Sequence, residues 1–359
     1  MAEPDSTPAD AADHRTGGPL TALPECLAGL PVRIDGCALA PLAFETPNFT
    51  RTTTVVEIRG GGATGRGEDV TYTAADQEAH RALAPFRLTG SDTLGGWVTR
   101  LDDVDLLGDE PEEASAPDYR RWAYESALLD LALRQAETTL GAVLGRTPRP
   151  VRFCVSSGLG PAAWLAVEPD LEFKLDADAD WDSVRVDELA ATGRVRVVDI
   201  KAHYGDELGL QGATALAVLE RVRDGLPDVV IEDPPVDPAA LALLDGQLER
   251  VAFDAPVHRV ADLERLPRTG WMNIKPSRFG RIAELLAAIA WCEERGVRLY
   301  GGGQFELGPG RPQIQELASL WYPDGPNDVA PGAYNAPQAS TGLPTSPLPA
   351  AGGAPGFGA

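Results

Sequence analysis

The sequence predicts an α/β protein in two parts, a β/α barrel preceded by a smaller α+β domain. Three observations predict it. The chain has 359 residues, more than one ordinary domain at roughly 150 residues each. From residue 149 onward, short β-rich runs ending in polar residues alternate with helical stretches. Before that point the texture is different: strand-like stretches lead into one long helix over 117–145.

Taken in order, residues 1–20 are rich in Pro, Asp, Ala and Gly and read as a leader without a core. Residues 21–148 form the first domain, with strands at Thr52–Ile58 and Val70–Thr73 around a glycine loop. The long helix that follows places Trp122, Ala123, Ser126, Leu129 and Leu133 at helical spacing on one face. The barrel, 149–335, is read from seven runs: VRFCV, LEFKL, VRVVD, VVIED, VAFD, WMNIK and VRLYGGG. Asn327–Ala330 is the candidate for an eighth. Alternating β and α units imply a parallel sheet, whose functional residues gather at the carboxyl ends of its strands. Residues 336–359 are a Pro/Gly/Ala/Ser tract, expected to be extended or mobile, with docking back on the body as the alternative.

Composition excludes several classes. The formal charge of −23, from 31 basic and 54 acidic residues, argues against nucleic-acid and anionic-membrane partners, which need a basic face. No apolar run approaches the eighteen or so residues of a membrane helix; Leu285–Trp291 is about the longest. The polar amino-terminal stretch has no signal-peptide pattern, and the four cysteines lie far apart with no CxxC pair. Dispersed thiols point to a reducing compartment, hence an expected cytoplasmic location.

The chemistry is read from the strand ends. The third run ends in Asp199, the fourth in Glu232 and the fifth in Asp254, with Lys275 ending the sixth. A single acidic residue after a strand is usually a helix cap. Three in register repel one another unless a cation stands between them, and hard oxygen donors suit Mg²⁺ or Mn²⁺.

The order Asp199, Glu232-Asp233-Pro234, Asp254, then Asn273-Ile274-Lys275, then a glycine-rich run carrying Glu306, resembles the enolase superfamily. Within it the pattern is similar to the muconate-lactonising group, with its dipeptide epimerases and o-succinylbenzoate synthases. The resemblance covers residues 31–335 and includes Gly65–Glu68 (GRGE) and the ESALLDLALR helix. It implies a modified (β/α)7β barrel under an N-terminal capping domain. It also implies a metal held by Asp199, Glu232 and Asp254, which binds a substrate carboxylate and stabilises an enediolate. Lys275 then moves the α-proton, its pKa lowered by the neighbouring dication, and Glu306 matches the seventh-strand glutamate. Phe44–Arg51, with Phe49 in its middle, lies where the capping loop of this group closes over substrate.

Two positions depart from the group. Its second strand carries Lys-x-Lys, whereas this chain has Lys174-Leu175-Asp176; its third carries Asp-x-Asn, whereas this chain has Asp199-Ile200-Lys201. Residues i and i+2 share a strand face, so Lys201 should face inward with Asp199, and Asp176 with Lys174. Lys201 is then either the missing acid/base lysine relocated and paired with Asp176, or a cation that neutralises the carboxylates.

Other signals are set aside or left as substrate-binding candidates. Gly60–Gly65 fits GxGxxG but is followed by a strand-like EDVTYT and no helix, so it reads as a hairpin. Gly301–Gly303 reads as a strand end approached closely by ligand or neighbour, with Gln304 and Glu306 beside it. Arg278 could bind a substrate anion or cap the next helix. His14 and His80 are expected bystanders, His203 and His258 loop residues, and Trp122 and Trp291 core. The expected function is metal-dependent α-proton abstraction from a small carboxylate, leading to cycloisomerisation or elimination. Racemisation or epimerisation is the alternative, and a metal- or ligand-binding barrel without turnover is the rival from another class. The resemblance further implies a homo-oligomer.

Overall fold

The computed structural model describes residues 21–83, 89–204 and 209–359. His14 and the leader lie outside them. Among the described residues, no helix is long and apolar enough to cross a membrane.

The first domain pairs β1 (Pro31–Ile34) with β5 (Gly90–Thr93), and builds an antiparallel meander from β2 (Gly36–Glu45), β3 (Thr50–Gly60) and β4 (Ala63–Asp69). The glycine loop is the hairpin expected: Gly60 pairs with Ala63, and Gly61 and Gly62 turn with φ of 56° and 81°, the left-handed pair a two-residue hairpin requires. The third strand is not Val70–Thr73, which is coil; it is ATGRGED, with two glycines that β propensity disfavours. Tertiary packing overrides the propensity. A Cβ on Gly67 would lie 2.0 Å from the Ala123 carbonyl oxygen, and one on Gly65 2.2 Å from that of Ala127. The strand can therefore lie directly on helix α4 (Ala116–Gln135). Gly67→Ala should destabilise the protein by about 1–3 kcal/mol by overpacking this contact, measured by urea unfolding.

The long helix breaks. α4 stops at Gln135, Glu137 takes φ of 50°, and Thr139 starts a short helix α5 (Leu140–Leu144) by accepting a hydrogen bond from the Ala142 amide. Threonine at an N-cap satisfies an amide that the helix itself cannot. The predicted face of α4 is buried from Trp122 to Leu133.

Six strands make the parallel barrel sheet in the order β11-β10-β9-β8-β7-β6. They are β6 (Phe173–Asp176), β7 (Val195–Asp199), β8 (Val230–Glu232), β9 (Val251–Phe253), β10 (Trp271–Ile274) and β11 (Arg298–Gly301). VRFCV and the eighth candidate contribute single bridges: Val155 to Phe173, Phe153 to Asn327, and Asp328 N–H to the Gly301 carbonyl. The ring thus closes with two of its members reduced to bridges. Inside it Val197, Val230, Ala252 and Tyr300 pack together with Trp271 against them. Strand alternation then turns Asp199, Glu232, Asp254 and Asn273, each two residues further on, toward the same interior.

The tail is extended and packed on the body rather than mobile. Leu348 bridges to Val151, and Phe357 is buried with its ring against Trp122. The Phe357 amide donates to Asp130 of α4, and the Gly358 amide donates to Glu316 of α13 (Gly310–Trp321).

Candidate active site

Asp176, Asp199 and Glu232 stand level across three neighbouring strands. Asp254 follows β9 and Lys275 follows β10. Asp199, Glu232 and Asp254 are almost wholly buried. Lys174 reaches in from β6, with Nζ 2.9 Å from Glu232 and 3.5 Å from Asp199. Lys275 Nζ lies 2.6 Å from Asp254, and Arg278 approaches the other oxygen at 3.2 Å. Asn273 donates to Glu232, as does the Tyr300 hydroxyl.

The electrostatics follow from burial and crowding. Burial, with Glu232 beside it, pushes the Asp199 carboxyl up to about 7 despite Lys174. Burial would raise Asp254 too, but Arg278 and Lys275 hold it below the usual carboxylate range. For Lys275 burial disfavours the ammonium, yet Asp254 outweighs it and the pKa stands well above the ordinary value. The lowering expected near a dication is therefore not a property of the chain by itself. Lys174 is raised likewise by Glu232 and Asp199 against its burial.

Asp199, Glu232 and Asp233 form the tightest carboxylate group among the described residues, with one oxygen of each within 4.8 Å of the others. Asp233 is already committed: its oxygens accept the amides of Asp254 at 2.8 Å and Ala255 at 2.9 Å. It positions Asp254, whose own oxygens lie outside that group and meet Lys275, Arg278 and the Tyr204 hydroxyl. Buried, hard, mutually repelling oxygens fit a divalent cation of the Mg²⁺ type.

Lys201 does meet Asp176, at 3.0 Å, and lies 3.9 Å from Asp199. It takes φ of 54°, and its amide donates to Asp199. Arg278 does not cap the helix that follows. It is buried on Asp254 and hydrogen-bonds the Tyr204 hydroxyl, which itself donates to Asp254. Glu306 is buried, accepts the Gln304 amide at 2.7 Å and pairs with Arg311 at 3.4 Å. Gln304 is buried with its side-chain nitrogen unpaired. Phe49, half exposed, meets Phe305 edge-on, as does Phe44. His80 is buried between Asp69 and Tyr124 in the first domain, away from these residues. His203 bonds the Pro234 carbonyl and His258 pairs with Asp118.

Sequence reasoning met Asp233 and Asn273 only as members of a motif, without a role, and missed Tyr300 and Tyr204. The two-residue alternation back from Lys275 and Gly302 would have found Asn273 and Tyr300. Nothing in the sequence marks Tyr204.

The chain is similar to known proteins in sequence and in fold. The chain is 26% identical to an N-succinylamino acid racemase of Amycolatopsis sp., over 60% of this chain and 59% of that one. It is 26% identical to the o-succinylbenzoate synthase of Bacillus subtilis, over 57% of each. It therefore spans less than two thirds of the length of these relatives. Among solved structures, it superposes on a mandelate racemase/muconate lactonizing protein from Herpetosiphon aurantiacus with a TM-score of 0.63 at 19% identity, over 85% of this chain and 90% of that one. A dipeptide epimerase from Methylococcus capsulatus, complexed with Mg, gives 0.60 at 20%, over 86% and 89%. Fold and relatives place the chain in the enolase superfamily, in its muconate-lactonising and o-succinylbenzoate synthase-like group. Within that class it belongs to the family described as a domain of unknown function, DUF8230, whose C-terminal domain matches residues 147–336 and whose N-terminal domain matches residues 25–143.

Proposed function

We propose that the protein abstracts the α-proton of a small carboxylate with the help of Mg²⁺, and that the outcome is a one-base cycloisomerisation or elimination. The observation that carries this is the buried set of Asp199, Glu232 and Asp254 with Lys275 2.6 Å from the last of them. Asp199, Glu232 and Asp254 would hold the ion, whose positive charge would offset the charge that develops on the substrate carboxylate. With the ion's charge beside it Lys275 would be neutral and accept the α-proton at Nζ. In elimination it would hand that proton to the departing hydroxide, which leaves as water. In cycloisomerisation the proton would pass between Nζ and the α-carbon as the ring carbon–oxygen bond forms or breaks. Asp233 fixes Asp254, and Asn273 and Tyr300 fix Glu232 by their hydrogen bonds. Lys174 stays a cation, held by two carboxylates. Asp176 at the second-strand position cannot act as a lysine would, and it holds Lys201 in an ion pair, which supports a single base.

Two-base racemisation or epimerisation is the second reading. Its support is Lys201 itself, three strands round the ring from Lys275, and the racemase among the relatives. Mg²⁺ titrated calorimetrically into metal-stripped protein should bind at one site, and Glu232→Gln should weaken it at least about ten-fold, a charged ligand contact being worth 1.5–3 kcal/mol. Screening carboxylic acids in D2O for α-exchange then identifies the substrate. No specific binding by the folded protein would instead favour a barrel without turnover.

A further inference from the structure

Two buried charges of the first domain have no opposite charge within ion-pair distance among the described residues, and both grip one loop of the barrel. Arg51 on β3 and Glu68 on β4 are each 1% exposed. A buried charge is costly unless its surroundings are built for it. Arg51 spends its five N–H groups on carbonyls. It donates to Thr52 (3.2 Å), Thr71 (2.9 Å) and Val70 (2.6 Å) in its own domain, and to Gln304 (2.8 Å) and Phe305 (3.3 Å) in the barrel. Five donors is all a guanidinium has. Glu68 does the converse. It accepts the amides of Leu307 (2.7 Å), Gly308 (2.9 Å) and Gly310 (2.9 Å), with the Thr53 hydroxyl at 2.8 Å.

We infer that Arg51 and Glu68 are positioning residues, through which the capping domain sets the shape of the loop after β11. The cation takes the carbonyls at the loop's start and the anion takes the amides at its end. Between the two grips Phe305 is held at φ of 56°, a left-handed conformation that costs a residue other than glycine of order 1–3 kcal/mol and persists only where neighbours impose it. The loop begins against the acid/base residue. A Cβ on Gly302 would lie 3.0 Å from Lys275 Cε and 2.6 Å from Asn273 Oδ1, so the backbone here is in close contact with both side chains. Gln304 and Glu306, both buried, take their places from the same loop. An anchor that merely glued two domains together would not need opposite charges sorted by loop polarity.

The positioning does not depend on the reaction; its consequence for turnover rests on the proton-abstraction reading. The test is hydrogen exchange by mass spectrometry on the full chain, comparing wild type with Glu68→Gln and Arg51→Lys. Glu68→Gln turns one acceptor into a donor facing amide donors, and Arg51→Lys offers three donors from a single point. Exchange of the Leu307, Gly308 and Gly310 amides should rise about ten-fold in both, with exchange in β10 and the calorimetric Mg²⁺ affinity unchanged. With the carboxylate that gives α-exchange, kcat should fall about ten-fold at nearly constant KM. Unaltered loop exchange, or a uniform rise over the whole chain, overturns the inference. If Glu68→Gln does not fold, Thr53→Val, which removes one of the four bonds, must raise exchange at Leu307 selectively or the inference fails. If wild type exchanges no carboxylate, the proton-abstraction reading fails while the amide data still decide the positioning.

Discussion

Lys275→Ala should lower α-deuterium exchange of the substrate by about 10²–10⁴-fold, the range a positioned general base contributes. The measurement is proton NMR in D2O, with the carboxylate found by screening. The fold should survive, because Arg278 and Tyr204 remain on Asp254 when the lysine is gone. Lys201→Met separates the two reaction classes in the same experiment. A one-base enzyme should keep its exchange, because Lys201 there only balances Asp176 and Asp199. A two-base enzyme should lose exchange from one enantiomer alone and keep it from the other. Loss of all exchange in Lys201→Met with none lost in Lys275→Ala would reverse the assignment of the base.

Arg120→Ala should destabilise the protein by about 3–5 kcal/mol, the cost of stranding one partner of a buried ion pair. Arg120 and Asp69 are 1% and 0% exposed at 3.0 Å, and the same carboxylate takes His80 at 2.9 Å and the Thr71 hydroxyl at 2.6 Å. Burial alone would raise Asp69; His80, Arg120 and Thr71 outweigh it and carry its pKa from 3.8 down to about 2. A carboxyl depressed in the folded state binds its proton more readily when unfolded. It therefore contributes stability above pH 3.8 that is lost as pH falls toward 2. Urea midpoints should fall between those values in wild type and fall less in Arg120→Ala, where the depression is smaller. Equal slopes in the two proteins would show that Asp69 does not depend on Arg120.

The barrel was legible in the sequence because its strands are buried on both sides and so read as apolar runs that end in polar residues. VRVVD, VAFD and WMNIK each mark a strand closely. The first and eighth members were legible as runs but make only bridges, since ladder length depends on neighbours that local pattern does not report. In the capping domain the GRGE strand was missed, because its glycines serve contact with α4 and local propensity counts them against a strand. The same gap explains the helix break at Glu137, where a single left-handed residue and a threonine cap ended a continuous apolar pattern. At the candidate site, residue types at strand ends brought Asp199, Glu232, Asp254 and Lys275 into view, while Lys201, past the end of β7 with a left-handed backbone, meets Asp176 outside the strand alternation. What stayed hidden was the support: Asp233 holding the Asp254 backbone, Arg278 buried as a counter-charge, and the grip of Arg51 and Glu68. Those depend on contacts between residues as many as 254 apart in the chain, for which a single sequence offers no signal.

The packed tail bears on modularity. After completing the barrel the chain returns to the capping domain, laying Phe357 on Trp122 and tying Asp130 on one side to Glu316 on the other. No single cut between the two domains yields both in finished form, since the final stretch belongs to one by sequence order and to both by contact. A barrel excised at the interdomain link would carry this tail with its aromatic anchor bared to water. A capping domain excised there would show the matching empty face on α4. Recombining either domain with a relative's counterpart therefore means exchanging three segments of chain rather than two.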